Sequence, residues 1–364
     1  MDVRLFDIQF LSLCTITIFL KPDSKYMQRA LDLAAQGLGR VSPNPMVGCV
    51  IAYGDRIIGE GWHRQYGGPH AEVIAIESVK EKELLPESTL YVNLEPCSHH
   101  GKTPPCANLI IASGIKKVII ANQDPNPLVS GRGILKLQQH GTEVTEGVLT
   151  EVGDFINRRF FTFHQKQRPY IILKWARTLD GYMARPDYDS KWISNECSRQ
   201  LVHQYRAQED AVMVGRKTAH YDDPELTVRH WHGRNPLRVV LDRQLVLANG
   251  LKLFDGSVAT ICYNFVKNES RPNLEMIKVP EEGPLESIWQ NLYQRQVQSL
   301  LVEGGAGLLT SLLKSDYWDE ARVFTAPREF GQGISAPEIP TPCHRQRKIS
   351  DDTLSIYFNN HAPN

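Results

Sequence analysis

His70, Glu72, Cys97 and Cys106 are the residues whose types and spacing could do chemistry together. His70-Ala71-Glu72 opens a stretch of helical character, and Pro96-Cys97 closes a β-rich run, with Cys106 further downstream. A metal ion such as zinc that has to activate water needs three protein ligands and one open position. One imidazole and two thiolates make such a set and polarise the water that completes it. Glu72, two residues past the histidine, can then take a proton from that water and pass it to a leaving amine. The same residues admit a quieter reading. His99 and His100 lie between the cysteines, so His70, Cys97, Cys106 and one of these could close a structural Cys2His2 site. Glu72 inside the cluster, and the polar loop S-H-H-G-K-T-P-P around it, weigh toward catalysis.

These residues need elements to position them. Tyr26–Gly37 predicts a helix with Met27, Ala30, Leu31, Ala34 and Ala35 on one face. Val47–Tyr53 and Arg56–Gly61 predict a hairpin across Gly54-Asp55. A helix is expected over His70–Val79, a strand over Thr89–Leu94, a helix near Ala107–Ser113 and a strand over Lys117–Ala121. Leu135–Gly147 reads as another helix and strand. Helices alternating with short β-rich runs predict a three-layer α/β sandwich. A helix near Glu151–Phe163 is expected to end in a structureless basic HQKQR before Pro169, which sets the boundary between domains 26–166 and 167–364. Residues 1–25 are expected to be an unstructured or non-native extension. Phe10–Leu20 has the length of a signal-peptide core but no A-x-A-like site after it.

The second half restarts the alternation, with strands at Tyr170–Trp175, Ala211–Val214, Leu237–Leu241, Val258–Tyr263 and Ser299–Val302. Helices are expected at Glu196–Ala207, Leu285–Gln296 and Leu308–Leu313. From Gly331 the chain is Pro-rich and weakly patterned except at Leu354–Phe358. Glu303-Gly304-Gly305-Ala306-Gly307 joins a strand to a helix, and the amides of such a turn can cradle a phosphate. It is not G-x-G-x-x-G, and a tight turn explains it equally well.

Composition narrows the classes. The chain has 364 residues, enough for about two domains, with 41 Lys+Arg against 41 Asp+Glu. A balanced charge and a pI near 7.2 argue against a nucleic-acid binder, which needs a dominant basic face. No apolar run approaches the roughly 20 residues of a membrane span. The seven cysteines are odd in number and scattered, which points to a reducing, cytoplasmic setting and not to a disulfide scaffold. Cys49 sits in an apolar strand and reads as core.

H-x-E with P-C-x-x-C is the signature of zinc-dependent base deaminases. Here the second spacing is C-x8-C. PNPMVGCV, GWHRQYGGPHAE, LEPCSHHGKTPPC and DPNPLVSGRG, in that order over Tyr26–Gly147, resemble the deaminase domain of the bifunctional riboflavin-biosynthesis deaminase/reductases, which share the longer loop. The resemblance implies a cytidine-deaminase-like αβα domain, with zinc on His70, Cys97 and Cys106 and Glu72 as proton shuttle. It further implies pyrimidine and ribose-phosphate contacts from Asn44, His63, His99, Lys102, Asp124 and Asn126. For Asn44 and Asn126, both in N-P dipeptides, plain turn chemistry is the competing account.

LKWARTLDGYMA, SKWIS and VGRKTAHYDDPELTVR resemble the reductase domain of the same family, whose fold is similar to dihydrofolate reductase. This implies NADPH contacts from Ala176, Trp192, Thr218, Asp222 and Gly305, Ala306, Gly307 and Leu308. Substrate contacts are implied for Lys174, Ser190, Arg206, Leu226, Arg229 and Glu303. Arg206 and Arg229 suit a forked grip on a sugar phosphate. The expected partner is a phosphorylated pyrimidine, with neither nucleic acid nor membrane; a homo-oligomer through the reductase domain is allowed for. Residues 331–364 depart from the family pattern, which puts the last strands in question.

Overall fold

The computed structural model describes residues 22–98, 104–126 and 129–359. The chain divides into two compact units between Gln165 and Lys166. In the first, helix α1 (Pro22–Ala34) precedes the hairpin β1 (Gly48–Tyr53) and β2 (Arg56–Trp62). Helix α2 (Ala71–Ser78), β3 (Thr89–Leu94), α3 (Cys106–Ala112), β4 (Lys117–Asn122), α4 (Arg132–Gln139) and β5 (Glu143–Glu146) follow, then α5 (Thr150–Ile156) and α6 (Arg158–Lys166). The sheet order is β2-β1-β3-β4-β5, antiparallel between β2, β1 and β3 and parallel from β3 to β5.

Side-chain alternation along the strands divides this core into two layers. Cys49, Ile51, Leu90, Val92, Val118 and Ile120 pack with α2, α3 and α4 on one face. Val50, Ala52, Tyr91, Ile119 and Ala121 pack with α1 and α5 on the other. The predicted three-layer arrangement is therefore present. Helix α2 lies almost in contact with β2: a Cβ on Gly61 would sit 2.7 Å from Ala75 N and 2.8 Å from Ala71 O. Any larger residue there would push α2 outward, and His70 and Glu72 with it.

The second unit begins with β6 (Tyr170–Thr178), β7 (Tyr182–Ala184), α7 (Glu196–Gln208), β8 (Ala211–Gly215), α8 (Arg216–Asp222) and β9 (Leu237–Leu241). It continues through β10 (Thr260–Asn264), β11 (Glu269–Arg271), β12 (Leu274–Lys278), α9 (Pro284–Gln294), β13 (Ser299–Val302), α10 (Ala306–Lys314) and β14 (Glu320–Ala326). It closes with β15 (Ile334–Ser335), β16 (Arg345–Ile349) and β17 (Asp352–Phe358). Ten strands form one sheet, β11-β12-β10-β9-β8-β13-β6-β14-β17-β16. From β12 to β14 neighbours run parallel, and β11, β17 and β16 add antiparallel edges. Ile171, Leu173 and Trp175 of β6 pack on the face with α9 and α10, while Tyr170 and Ile172 pack on the face with α7.

Four expectations are corrected. The HQKQR segment is not structureless from its start, because α6 runs through Lys166 on the strength of buried Phe160, Phe161 and Phe163. The helix expected over Glu151–Phe163 is two helices broken at Asn157, whose side chain turns away to hold Met46. Helix α1 begins at Pro22, so 22–25 belong to the fold; the rest of the proposed extension lies outside the described residues. The tail after Gly331 is built into the sheet, with β17 pairing along β14 from Phe358–Glu320 to Thr353–Thr325. Its polar sequence conceals it, since β16 alternates half-buried and exposed positions without an apolar side before Ile349.

That tail also supports α7. Asp352 Oδ2 accepts from Asn195 N at 2.9 Å and Ser198 Oγ at 2.6 Å, and Asn195 Nδ2 donates to Ile349 O at 2.7 Å. Asn195 Oδ1 in turn caps α7 by accepting from Ser198 N at 2.8 Å. No helix among the described residues is long and apolar enough to cross a membrane.

Candidate active sites

His70 is the residue that enters α2, with extended backbone (φ −74, ψ 162), so its ring leaves the helix end and does not lie along its side. Cys97 follows β3, and Cys106 is the first residue of α3. Their ligand atoms lie within 4.8 Å of one another. His70 Nδ1 is 3.3 Å from Cys106 Sγ and 3.6 Å from Cys97 Sγ. Ligands on one tetrahedral zinc should stand about 3.6 Å apart, given metal–ligand distances of roughly 2.0–2.3 Å, so the donor set and its spacing fit that ion. Among the described residues no fourth His, Cys, Asp or Glu joins the three.

Glu72 is buried in the first turn of α2. Burial, with the charge of the Cys97 thiolate, pushes its carboxyl up to about 7, where it can exchange a proton near neutrality. The hydrogen bond from the Cys106 thiol holds the Cys97 thiol well below its ordinary value, and burial opposes it.

His63 and Asn44 stand beside this cluster. The His63 ring meets the His70 ring edge-on at 5.5 Å. Its Nδ1 faces Pro69 O at 2.9 Å, which can only accept, so Nδ1 carries the proton and Nε2 accepts from Asn44 Nδ2 at 3.1 Å. Burial lowers the His63 pKa and favours this neutral form. Two residues that the sequence reading missed hold the Asn44 loop. Asn93 bridges Gly48 N (2.8 Å) and Met46 O (3.0 Å), and Asn157 bridges Met46 N (2.8 Å) and Met46 O (2.9 Å).

Asp124 is buried after β4, and burial raises its carboxyl to about 6. Asn126 shapes the turn that follows: its amide donates to Asp124 Oδ1 at 2.8 Å and its carbonyl accepts from Val129 N at 2.8 Å. Glu95 was also missed. It accepts from the amides of Asp124, Gly131, Gly133 and Ile134, and so ties the Pro96-Cys97 turn to the Asp124 loop. A Glu next to P-C was its only sequence signal. The expectations for His99 and Lys102 fall outside the described residues.

In the second unit a cavity of about 1320 Å³ opens at the ends of the parallel strands. Its wall includes every residue singled out there: Lys174, Ala176, Ser190, Trp192, Arg206, Thr218, Asp222, Leu226, Arg229, Glu303 and Gly305 to Leu308. At its floor, Glu303 takes both Nε and Nη2 of Arg206, the latter at 2.9 Å, and faces Lys174 Nζ at 3.7 Å. Burial opposes ionisation of Glu303, but Arg206 and Lys174 outweigh it and bring its carboxyl to about 2. Burial lowers the Lys174 pKa, with Glu303 working the other way. Arg206 is thus not an open fork, since its Nη1 also donates to Thr227 O at 3.1 Å.

Gly305 precedes α10 without any side-chain cap, leaving the first-turn amides for a ligand. Gly304 takes φ +116, and a Cβ on Gly305 would come within 2.8 Å of Thr218 Oγ1. A glycine turn this close to Thr218 is a cradle that any side chain would fill, and it fits a dinucleotide phosphate. Ser190 Oγ donates to Asp222 Oδ1 at 3.0 Å. The exposed Trp192 ring lies under the Arg199 guanidinium at 4.7 Å, and its carbonyl accepts from Arg328 at 2.7 Å.

The chain matches the model for the cytidine and deoxycytidylate deaminase zinc-binding region over residues 20–122, and that for the RibD C-terminal domain over residues 169–348. It is 42% identical to the riboflavin biosynthesis protein RibD of Aquifex aeolicus over 87% of this chain and 90% of that one. It is 37% identical to RibD of Escherichia coli over 85% and 89%. The Thermotoga maritima diaminohydroxyphosphoribosylaminopyrimidine deaminase/5-amino-6-(5-phosphoribosylamino)uracil reductase superimposes with a TM-score of 0.84 at 41% identity, covering 92% of this chain and 98% of that one. With an H-x-E zinc cluster in one unit, a glycine-cradled cavity in the other, and relatives alike over both, the chain belongs to the RibD family of riboflavin biosynthesis proteins.

Proposed function

We propose that this chain carries out two consecutive steps of riboflavin synthesis, as a deaminase/reductase. The first unit hydrolytically deaminates 2,5-diamino-6-ribosylamino-4(3H)-pyrimidinone 5′-phosphate, with release of ammonia. The second reduces the ribosyl chain of the product to ribityl with NADPH, giving 5-amino-6-(5-phosphoribitylamino)uracil. The observation that carries the reading is the convergence of His70, Cys97 and Cys106 within 4.8 Å beside buried Glu72.

His70, Cys97 and Cys106 hold zinc, which when bound polarises a water for attack on carbon. Glu72, near neutrality in its pocket, receives a proton and delivers it to the departing amine nitrogen. Asn44, kept in place by His63, presents its side-chain oxygen to the edge of the pyrimidine, with Asp124 and Asn126 as further contacts. His99 and Lys102 are proposed as contacts to the ribose phosphate.

In the second unit, Gly305–Leu308 and Thr218 grip the cofactor phosphates, and Trp192, Ala176 and Asp222 line its course. NADPH when bound supplies the hydride. Lys174 and Arg206, fixed by Glu303, face the sugar with Ser190 and Leu226, and Arg229 reaches its phosphate. The working context is cytoplasmic, with a small-molecule partner. Purified, zinc-loaded protein given the diaminopyrimidinone, with ammonia release and NADPH oxidation followed separately, tests both halves. Oxidation that never follows deamination would sink the reductase assignment.

A further inference from the structure

Helix α7 turns Arg199, Val202, His203 and Arg206 toward the reductase cavity at three- and four-residue spacing. Two of these reach the segment after α8. Arg206 Nη1 donates to Thr227 O at 3.1 Å, and the Arg229 amide donates to His203 Nδ1 at 3.1 Å. A backbone N–H can only donate, so Nδ1 holds the lone pair and the ring is the neutral Nε2–H tautomer. The surroundings enforce this: burial first, then the charges of Arg206 and Arg229, bring its pKa down to about 4. His203 is 6% exposed, and its ring meets His230 edge-on at 4.8 Å.

The segment it holds is under tension. Leu226 is buried in left-handed backbone at φ +52, a conformation unfavourable for a non-glycine residue. The Arg229 guanidinium is exposed and leans on Glu225 Oε2 at 2.7 Å and Thr227 Oγ1 at 2.9 Å, both of its own segment. Its side-chain partners therefore move with it, and its amide bond to His203 ties it to a long helix.

We propose that His203 is a positioning residue of the reductase: by accepting the Arg229 amide hydrogen it fixes where the Arg229 guanidinium stands, and so sets how tightly the cavity holds the phosphate end of its substrate. This rests on the reading of Arg229 as a substrate contact.

The two ends of the imidazole can be replaced separately. In His203→Asn the side-chain oxygen stands close to the place of Nδ1 and can accept the amide. His203→Gln puts its amide near the place of Nε2, and His203→Leu supplies neither. The Asn variant is expected within about threefold of the wild-type KM for the reductase substrate. The Gln and Leu variants should raise KM about tenfold, the usual consequence of stranding a backbone donor, with kcat held within about threefold. Tryptophan fluorescence, to which the second unit contributes five of the six tryptophans, reports that each variant folds. A Gln variant that matches wild type while Asn fails, or three variants with equal KM, overturns the proposal. Competition of ribose 5-phosphate against ribose on the wild-type enzyme tests the underlying reading. Equal competition would remove Arg229 as a phosphate contact, while the Asn/Gln comparison still decides what His203 does.

Discussion

Glu303→Gln isolates the charge cluster at the floor of the reductase cavity. The carboxyl sits at about 2 against an ordinary 4.5, a gap worth about 3 kcal/mol at roughly 1.4 kcal/mol per tenfold. Its side chain is only 7% exposed, so solvent screens little of this. A carboxylate with a lowered folded-state pKa stabilises fully above its unfolded value, and the contribution disappears as pH falls from about 4.5 through about 2. The variant should therefore lose the same stability at pH 6 and at pH 8. At about 2–4 °C per kcal/mol for a unit of this size, the midpoint should fall about 6–12 °C. Five of the six tryptophans lie in the second unit, so their fluorescence follows its melting, while heat inactivation of ammonia release follows the first. Removing Glu303 also leaves burial and Arg206 both lowering the Lys174 pKa. Reductase activity of the variant should then decline at lower pH than in wild type. A fluorescence midpoint that moves by less than about 2 °C, or one matched by the deaminase, would refute the reasoning.

Glu72→Gln should cut ammonia release by about 100-fold or more while zinc stays bound, since the carboxylate moves protons and holds no metal; metal analysis with a deaminase assay checks both. Cys106→Ala should abolish stoichiometric zinc binding, because two donors remain where three are needed; undiminished zinc content would contradict the ligand set. Gly305→Ala brings a methyl group against Thr218 and should weaken NADPH binding about tenfold by fluorescence titration, with deamination unchanged.

The His70/Cys97/Cys106 cluster and its carboxylate were legible because metal geometry demands particular residue types at close quarters, and H-x-E with P-C writes them into two short segments. Asn93, Asn157 and Glu95 were not, because each works by collecting backbone groups from distant segments, and hydrogen bonds across 29 to 111 residues leave no local spacing. Arg206 shows the converse. Its sequence read as an anion fork, yet folding places Glu303 against it, and the pairing of residues 97 apart is invisible to pattern. The edge strand β16 escaped for a third reason. Edge positions need only one buried side, and the polar residues of β16 satisfy that without an apolar stripe.

The Asp352 anchor has a consequence for the order in which the chain comes into being. The first unit has its five-stranded sheet complete at Glu146 and its last helix at Lys166. The reductase waits on later synthesis: β14 lacks its outer neighbour, and α7 lacks the carboxylate holding its start, until residues 352–358 have been made. Domains fold as units, the N-terminal one first during translation. The metal centre can thus mature on a nascent chain before the cavity that takes its product closes.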